Sequence, residues 1–211
     1  MSGIAEQFRS ASQQEEAATL GMWVFLATEV LFFGVLFFVY SLMRMRFSAD
    51  FAAASRHTDV LLGTLNTAVL LSSSLTMALA VRGRQLRLLR PTRGWLLTTA
   101  ALGTLFLIMK GLEYYQDYTE HLVPTLSFDF DPAHARGAEI FFSLYFVMTG
   151  IHALHLLIGI ALVLLLARDL PGLLPHERPG DTTIEVGGLY WHFVDIVWIF
   201  LYPLLYLVSR S

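Results

Sequence analysis

The chain has 211 residues, of which 55% are hydrophobic, 13% aromatic and only 15% charged. Its mean hydropathy is +0.59, an apolar share above that of an ordinary soluble domain, which points to a membrane protein. A net charge of -3 offers no basic excess of the kind nucleic acid requires, and the absence of cysteine excludes a disulfide framework, a thiolate metal site and a nucleophilic thiol.

Residues 1–18 carry Glu6, Arg9, Glu15 and Glu16 ahead of the first apolar run. They lack the basic start and small-residue cleavage site of a signal peptide, so they are expected to form a cytoplasmic segment preceding one transmembrane domain over 19–211. A spanning helix needs about 20 mostly apolar residues to cross roughly 30 Å of hydrocarbon. Residues 20–42, 60–81, 95–115, 138–167 and 186–208 meet that requirement, and the expected fold is an all-α bundle of five transmembrane helices.

The first span contains Glu29 within Thr28-Glu29-Val30-Leu31-Phe32-Phe33. A charged side chain at the bilayer centre costs about 2.5–3.5 kcal/mol on insertion scales, so one that persists there needs a reason. Two readings stand: a proton-handling or regulatory carboxyl, and a protonated acid hydrogen-bonded to a neighbouring helix or subunit. In the second span Gly63, Asn66, Leu70 and Ser73 fall on one helical face, and small and polar residues so spaced predict a close helix contact.

Between the second and third spans stand Arg82, Arg84, Arg87, Arg90 and Arg93 with no acid among them, whereas 116–135 holds Asp117, Glu120, Asp129 and Asp131 with no Lys or Arg. The positive-inside rule then predicts a cytoplasmic N-terminus and a periplasmic C-terminus. Arg168 and Arg178 agree with this orientation; Arg44, Arg46 and Arg56 oppose it. Late in the third span Lys110 and Glu113 are spaced to pair as ions near the interface, where a lysine stem can reach outward and Tyr114 and Tyr115 suit an aromatic belt. An ion pair and a lipid headgroup site are both open readings there.

The fourth span carries Gly150-Ile151-His152-Ala153-Leu154-His155, with both imidazoles on one face. Two histidines do not make a metal site, which usually needs three or four ligands and partners behind them, so interhelical hydrogen bonding is the expected role and no metal is expected. In the fifth span Glu185 precedes Tyr190-Trp191-His192-Phe193-Val194-Asp195-Ile196-Val197-Trp198, so that His192 and Asp195 can face one neighbour and Trp191 and Trp198 lie two turns apart. No Ser-His-Asp set, phosphate loop or zinc-helix motif occurs, and no catalytic residue is expected.

These segments resemble cytochrome c oxidase subunit III, a likeness covering about residues 21–207. Trp191-His192-Phe193-Val194-Asp195-Ile196-Val197-Trp198, with Glu185 at the family spacing, resembles the last-helix signature, and Gly150-Ile151-His152-Ala153-Leu154-His155 resembles the family's Gly-Phe-His-Gly-Leu-His. Leu65-Asn66-Thr67 with Leu70-Leu71-Ser72-Ser73, and Glu113-Tyr114-Tyr115, resemble two further motifs, and Glu29 falls at the family's intramembrane glutamate. The resemblance implies a subunit without haem or copper that packs on subunit I, holds phospholipid and sustains proton uptake. The haem and copper would belong to subunits I and II of a complex that oxidises cytochrome c and reduces dioxygen to water in a bacterial plasma membrane.

Seven-helix members have two additional N-terminal helices, so this chain is expected to begin at the counterpart of their third. Lys110 replaces the family's usual glutamine, and Arg168 is placed like an arginine near lipid phosphate. The alternatives are subunit III of a quinol oxidase or of a nitric-oxide-reductase-associated homologue, a stand-alone proton channel or transporter, and a pure assembly scaffold.

Overall fold

The computed structural model describes residues 10–124, 128–173 and 183–207. It is all helical over these residues: α1 (Ala11–Arg46), α2 (Ser48–Ser55), α3 (Val60–Gln85), α4 (Leu89–Thr119), α5 (Ala135–Leu173) and α6 (Thr183–Tyr206). All except α2 are long and apolar enough to cross a membrane. Arg178, Glu6, Arg9 and Val208, the last residue of the expected fifth span, lie outside the described residues.

The helices run past the apolar windows because local hydrogen bonds, not hydropathy, end them. Ser10 Oγ accepts from Gln13 N at 3.2 Å to start α1, and Asp59 Oδ1 accepts from Leu62 N at 3.0 Å to start α3, each satisfying a backbone donor that the first helical turn leaves open. α3 and α4 close alike. Leu88 N reaches Gly83 O and Leu122 N reaches Asp117 O, both at 2.9 Å, with Arg87 and His121 in the left-handed region at φ 57°, the pattern that usually selects glycine.

Two expectations are corrected here. The connection after the first span is not all loop: α2 folds there and buries Phe51 and Ala54, with the Phe51 ring 5.4 Å from those of Tyr40 and Phe141. Asp117 is not in a loop either, because α4 continues to Thr119 and carries it into the interior.

α6 occupies the centre, touching α1, α3 and α5, whereas α1 leans on α5 and α6 and leaves Val24, Leu31, Val35 and Phe38 exposed. Such an apolar exterior is what hydrocarbon, not water, solvates. The α3 face expected from the sequence is buried at Gly63, Asn66, Leu70 and Ser73, and α6 supplies the opposing surface: Tyr202 and Tyr206 against Gly63, Trp198 Nε1 donating to Thr67 Oγ1 at 3.0 Å, and Trp191 Nε1 to Ser73 Oγ at 3.1 Å.

The Trp191 ring is wedged between two glycines, since a Cβ on Gly103 would stand 2.7 Å from it and one on Gly159 3.2 Å. Gly103→Ala is therefore expected to lower stability by about 1–3 kcal/mol through overpacking. Gly111→Ala, whose Cβ meets nothing within 4 Å, is expected to be neutral or slightly stabilising. Thermal midpoints of the two variants in one detergent check this contrast; equal midpoints would refute it.

Candidate functional site

Two polar centres stand out inside the helices. The first joins α1 to α5, where Glu29 Oε2 lies 3.1 Å from His155 Nε2, both side chains less than one-fifth exposed. The other ring nitrogen, Nδ1, is 2.9 Å from Ile151 O. A carbonyl only accepts, so Nδ1 carries a proton and donates it to Ile151. Nε2 then either accepts from a neutral Glu29 carboxyl or, in an imidazolium, donates to a Glu29 carboxylate. In both arrangements one proton lies between Oε2 and Nε2, and the pair has no net charge.

The pair is held from two sides. Tyr190 OH donates to His155 O at 2.9 Å, and the Phe33 ring meets the imidazole edge-on at a centroid distance of 5.4 Å. A carboxyl and an imidazole sharing a proton in an apolar helix contact can store it, or pass it to an adjoining group, without leaving an isolated charge in low dielectric.

The second centre is built on α4 and closed by α5 and α6. Lys110 Nζ donates to Glu113 Oε2 at 3.0 Å and to the hydroxyls of Tyr145 and Tyr206 at 2.7 Å each. Those hydroxyls in turn donate to Glu113 Oε1, at 2.8 Å from Tyr145 and 2.6 Å from Tyr206. All three ammonium protons and both carboxylate oxygens are thereby engaged. The stem does not run out to the interface as expected from the sequence: Lys110 and Glu113 are each 2% exposed, because α5 and α6 pack across this face and offer two hydroxyls where water would otherwise be needed. Asp117, one turn beyond Glu113, is also buried, and its Oδ2 has no hydrogen-bond partner among the described residues.

The remaining predicted residues disperse. His152 does not share a partner with His155. Its ring sits among Phe106 and Trp198, with centroids at 5.8 and 5.2 Å, and neither nitrogen is hydrogen-bonded among the described residues; the same holds for the Asn66 amide and the Asp195 carboxyl. His192 Nδ1 is 2.8 Å from Ser74 Oγ, so His192 and Asp195 are not joined to each other. Glu185 accepts from Gln85 Nε2 at 3.3 Å. Tyr114 shares a 2.5 Å hydrogen bond with Thr149 Oγ1, Tyr115 is exposed, and Arg168 is a surface residue 3.9 Å from the Asp169 carboxylate. No three His, Asp or Glu side chains converge as a metal site would need among the described residues.

Sequence reading missed Tyr145 and Tyr206, since nothing in a hydrophobic run tells which tyrosine turns inward. It could have found Asp117, which follows Lys110 and Glu113 at the i+7 and i+4 spacings of one helix face. It also missed Asp50 and His134, whose Oδ1 and Nδ1 lie 2.6 Å apart and tie α2 to the start of α5.

Comparison with known proteins gives a family model, Cytochrome c oxidase subunit III, that matches residues 7–210. A "Cytochrome c oxidase subunit 3" of Thermostichus vulcanus is 32% identical over 215 residues, covering 99% of this chain and 96% of the relative. A "Heme-copper oxidase subunit I+III" of Aeropyrum pernix is 32% identical over 193 residues, covering 89% of this chain and 22% of the relative. A "Probable quinol oxidase subunit 3" of Staphylococcus aureus is 26% identical over 213 residues, covering 99% and 98% of the two chains.

Proposed function

The chain belongs to the cytochrome c oxidase subunit III family, and we propose that it is the non-redox subunit of a respiratory cytochrome c oxidase, packed on subunit I and supporting proton uptake there. The observation that carries this reading is a family match spanning nearly the whole chain, 7–210, in a molecule with five helices suited to a membrane. The Aeropyrum relative's name joins subunits I and III, which supports direct contact with subunit I. Haem and copper belong, in this reading, to subunits I and II. The chain itself contributes no catalytic residue; Glu29 and His155 hold one proton beside the path of uptake. Tyr114, Tyr115 and Arg168 contact phospholipid. The five arginines of 82–93 set the N-terminus in the cytoplasm of a bacterial cell.

Cytochrome c is preferred over quinol as donor because Glu29 and Leu65-Asn66-Thr67 follow the cytochrome c type. The quinol reading keeps the support of the Staphylococcus relative's name. Gentle purification through a tag, followed by an optical spectrum, mass identification of co-purifying chains and a donor assay, tests the assignment. Subunits I and II with a-type haem bands and oxidation of cytochrome c are expected. A colourless, solitary chain would overturn the oxidase reading, and strict quinol dependence would overturn the donor.

Within the assembled oxidase, Glu29→Gln is expected to leave haem content at the parent level, because in this reading haem and copper are held by subunits I and II. Steady turnover should fall, but by well under the roughly hundredfold that removing a direct acid–base group causes. Unchanged turnover would make the chain a scaffold; lost haem would mean that Glu29 supports the metal centres.

A further inference from the structure

Asp117 is the ionisable group that the Lys110–Glu113 centre leaves over. It lies one turn beyond Glu113 on the same face of α4, is 6% exposed, and its Oδ2 has no hydrogen-bond partner among the described residues. Buried polar atoms are normally paired, so this carboxyl calls for an account.

The network beside it has no donor left to give. Lys110 spends its three ammonium protons on Glu113 Oε2 and on the hydroxyls of Tyr145 and Tyr206, and each hydroxyl spends its one proton on Glu113 Oε1. The charges are matched as well, one ammonium against one carboxylate. An ionised Asp117 would add a second negative charge at a site nearly closed to water, which low dielectric makes costly. Lys110 is the cation that acts on Asp117, while Glu113 and Glu120 act against its charge. The phenols of Tyr114, Tyr145 and Tyr206 complete its surroundings. What the network does offer is an acceptor: a hydroxyl oxygen has two lone pairs, Lys110 takes one of them on Tyr145, and the same hydroxyl faces Asp117.

We infer that Asp117 is a second proton-holding site of this chain, separate from the Glu29–His155 pair: a neutral carboxyl at neutral pH that exchanges its proton with water at the end of α4. The way out is short. Asp117 stands close to the end of α4 at Thr119, and its carbonyl accepts from Leu122 N at 2.9 Å, beside a cavity lined by Leu122, Glu120, Asp129 and Asp131. Those three acids are exposed and supply proton acceptors at the surface. Release breaks the Asp117 O–H bond, leaves a carboxylate and hands the proton to water, with no electron transferred. The new carboxylate then competes with Glu113 for the single Tyr145 proton, so release loosens the contact of α4 with α5. The site is built wholly from this chain's own residues and does not rest on the oxidase reading.

Infrared spectra of the full-length chain in detergent at neutral pH test it. The parent is expected to show a protonated-carboxyl carbonyl band that survives in Glu29→Gln, disappears in Asp117→Asn and shifts in heavy water. Asp117→Asn should keep the parent's thermal midpoint, because the amide has the shape of the neutral acid and no ion pair is lost. Should that variant fail to fold, Asp117→Leu, apolar and of similar volume, should remove the same band. A difference spectrum containing only carboxylate bands would overturn the proposal, as would a carbonyl band that heavy water leaves in place. So would a midpoint in Asp117→Asn lowered as far as in Glu113→Ala, which would make Asp117 an ionised partner of Lys110.

Discussion

Replacing Glu113 by alanine is expected to destabilise the folded bundle by about 3–5 kcal/mol, the cost of leaving a buried charge without its partner. The geometry explains why the loss is not diluted. Lys110 Nζ is 3.0 Å from Glu113 Oε2, and the two tyrosine hydroxyls that also receive its protons both donate to Glu113 Oε1. Removing the carboxylate therefore strands three groups at once, on a face that is 2% exposed. The nearby carboxyl of Asp117 does not repair this, because no hydrogen bond links it to the ammonium.

Lys110→Gln should cost about 3–5 kcal/mol for the same reason, since the Glu113 carboxylate is then left buried without its cation, with the lower end favoured because an amide and the two tyrosines can still donate to it. Replacing both by methionine should recover much of the Glu113→Ala loss, because well-packed apolar pairs often equal buried ion pairs in stability, although the two tyrosine hydroxyls would then need new partners. Thermal midpoints of the parent, the two single variants and the double, read in one detergent, form the test. A Glu113→Ala variant as stable as the parent would mean that the ammonium finds water, and the closed network would not be what holds α4 to α5 and α6.

That network shows where sequence reading succeeds and where it stops. Hydropathy over about 20 residues located the spanning helices, since crossing a bilayer imposes length and apolarity together, and helical spacing put Lys110 beside Glu113. Neither rule reports which helices are neighbours. They pair Lys110 with Glu113 and allow its stem to reach the interface, whereas the structure keeps the pair and turns the ammonium toward Tyr145 and Tyr206, which lie 35 and 96 residues further along the chain. Glu29 and His155 are a second instance: each was singled out on its own helix, and their contact across 126 residues exists only because α1 packs on α5. His152 and His155 share a helical face in projection, yet three residues of rotation and rise direct one toward α4 and α6 and the other toward α1. The ends of helices escaped for a different reason. α3 and α4 terminate through left-handed Arg87 and His121, residues that carry no glycine-like signal for a stop.

Trp191→Ala should cost a further order-matching amount, about 3–5 kcal/mol for a large aromatic removed from a packed interior, and its consequences should reach the Glu29–His155 pair. Trp191 is fully buried. Its ring lies against Gly103 of α4 and Gly159 of α5, and its Nε1 donates to Ser73 of α3, so one side chain joins four helices. Gly159 is one turn beyond His155, and Tyr190, next to Trp191, donates to His155 O. A cavity at the tryptophan would let α6 shift relative to α5, and the tyrosine bond that steadies the histidine would loosen with it.

Trp191→Phe is the milder change. It keeps an aromatic ring but gives up one hydrogen bond and the outer edge of the indole that reaches Gly103, so about 2 kcal/mol is expected. The two variants should differ in a second readout as well. The infrared carbonyl and carboxylate bands that vanish in Glu29→Gln, and so belong to Glu29, should shift in Trp191→Ala and stay in place in Trp191→Phe. An unmoved Glu29 band in a destabilised Trp191→Ala protein would mean that α1 and α5 hold the proton-sharing pair by themselves, with α6 merely packed behind it.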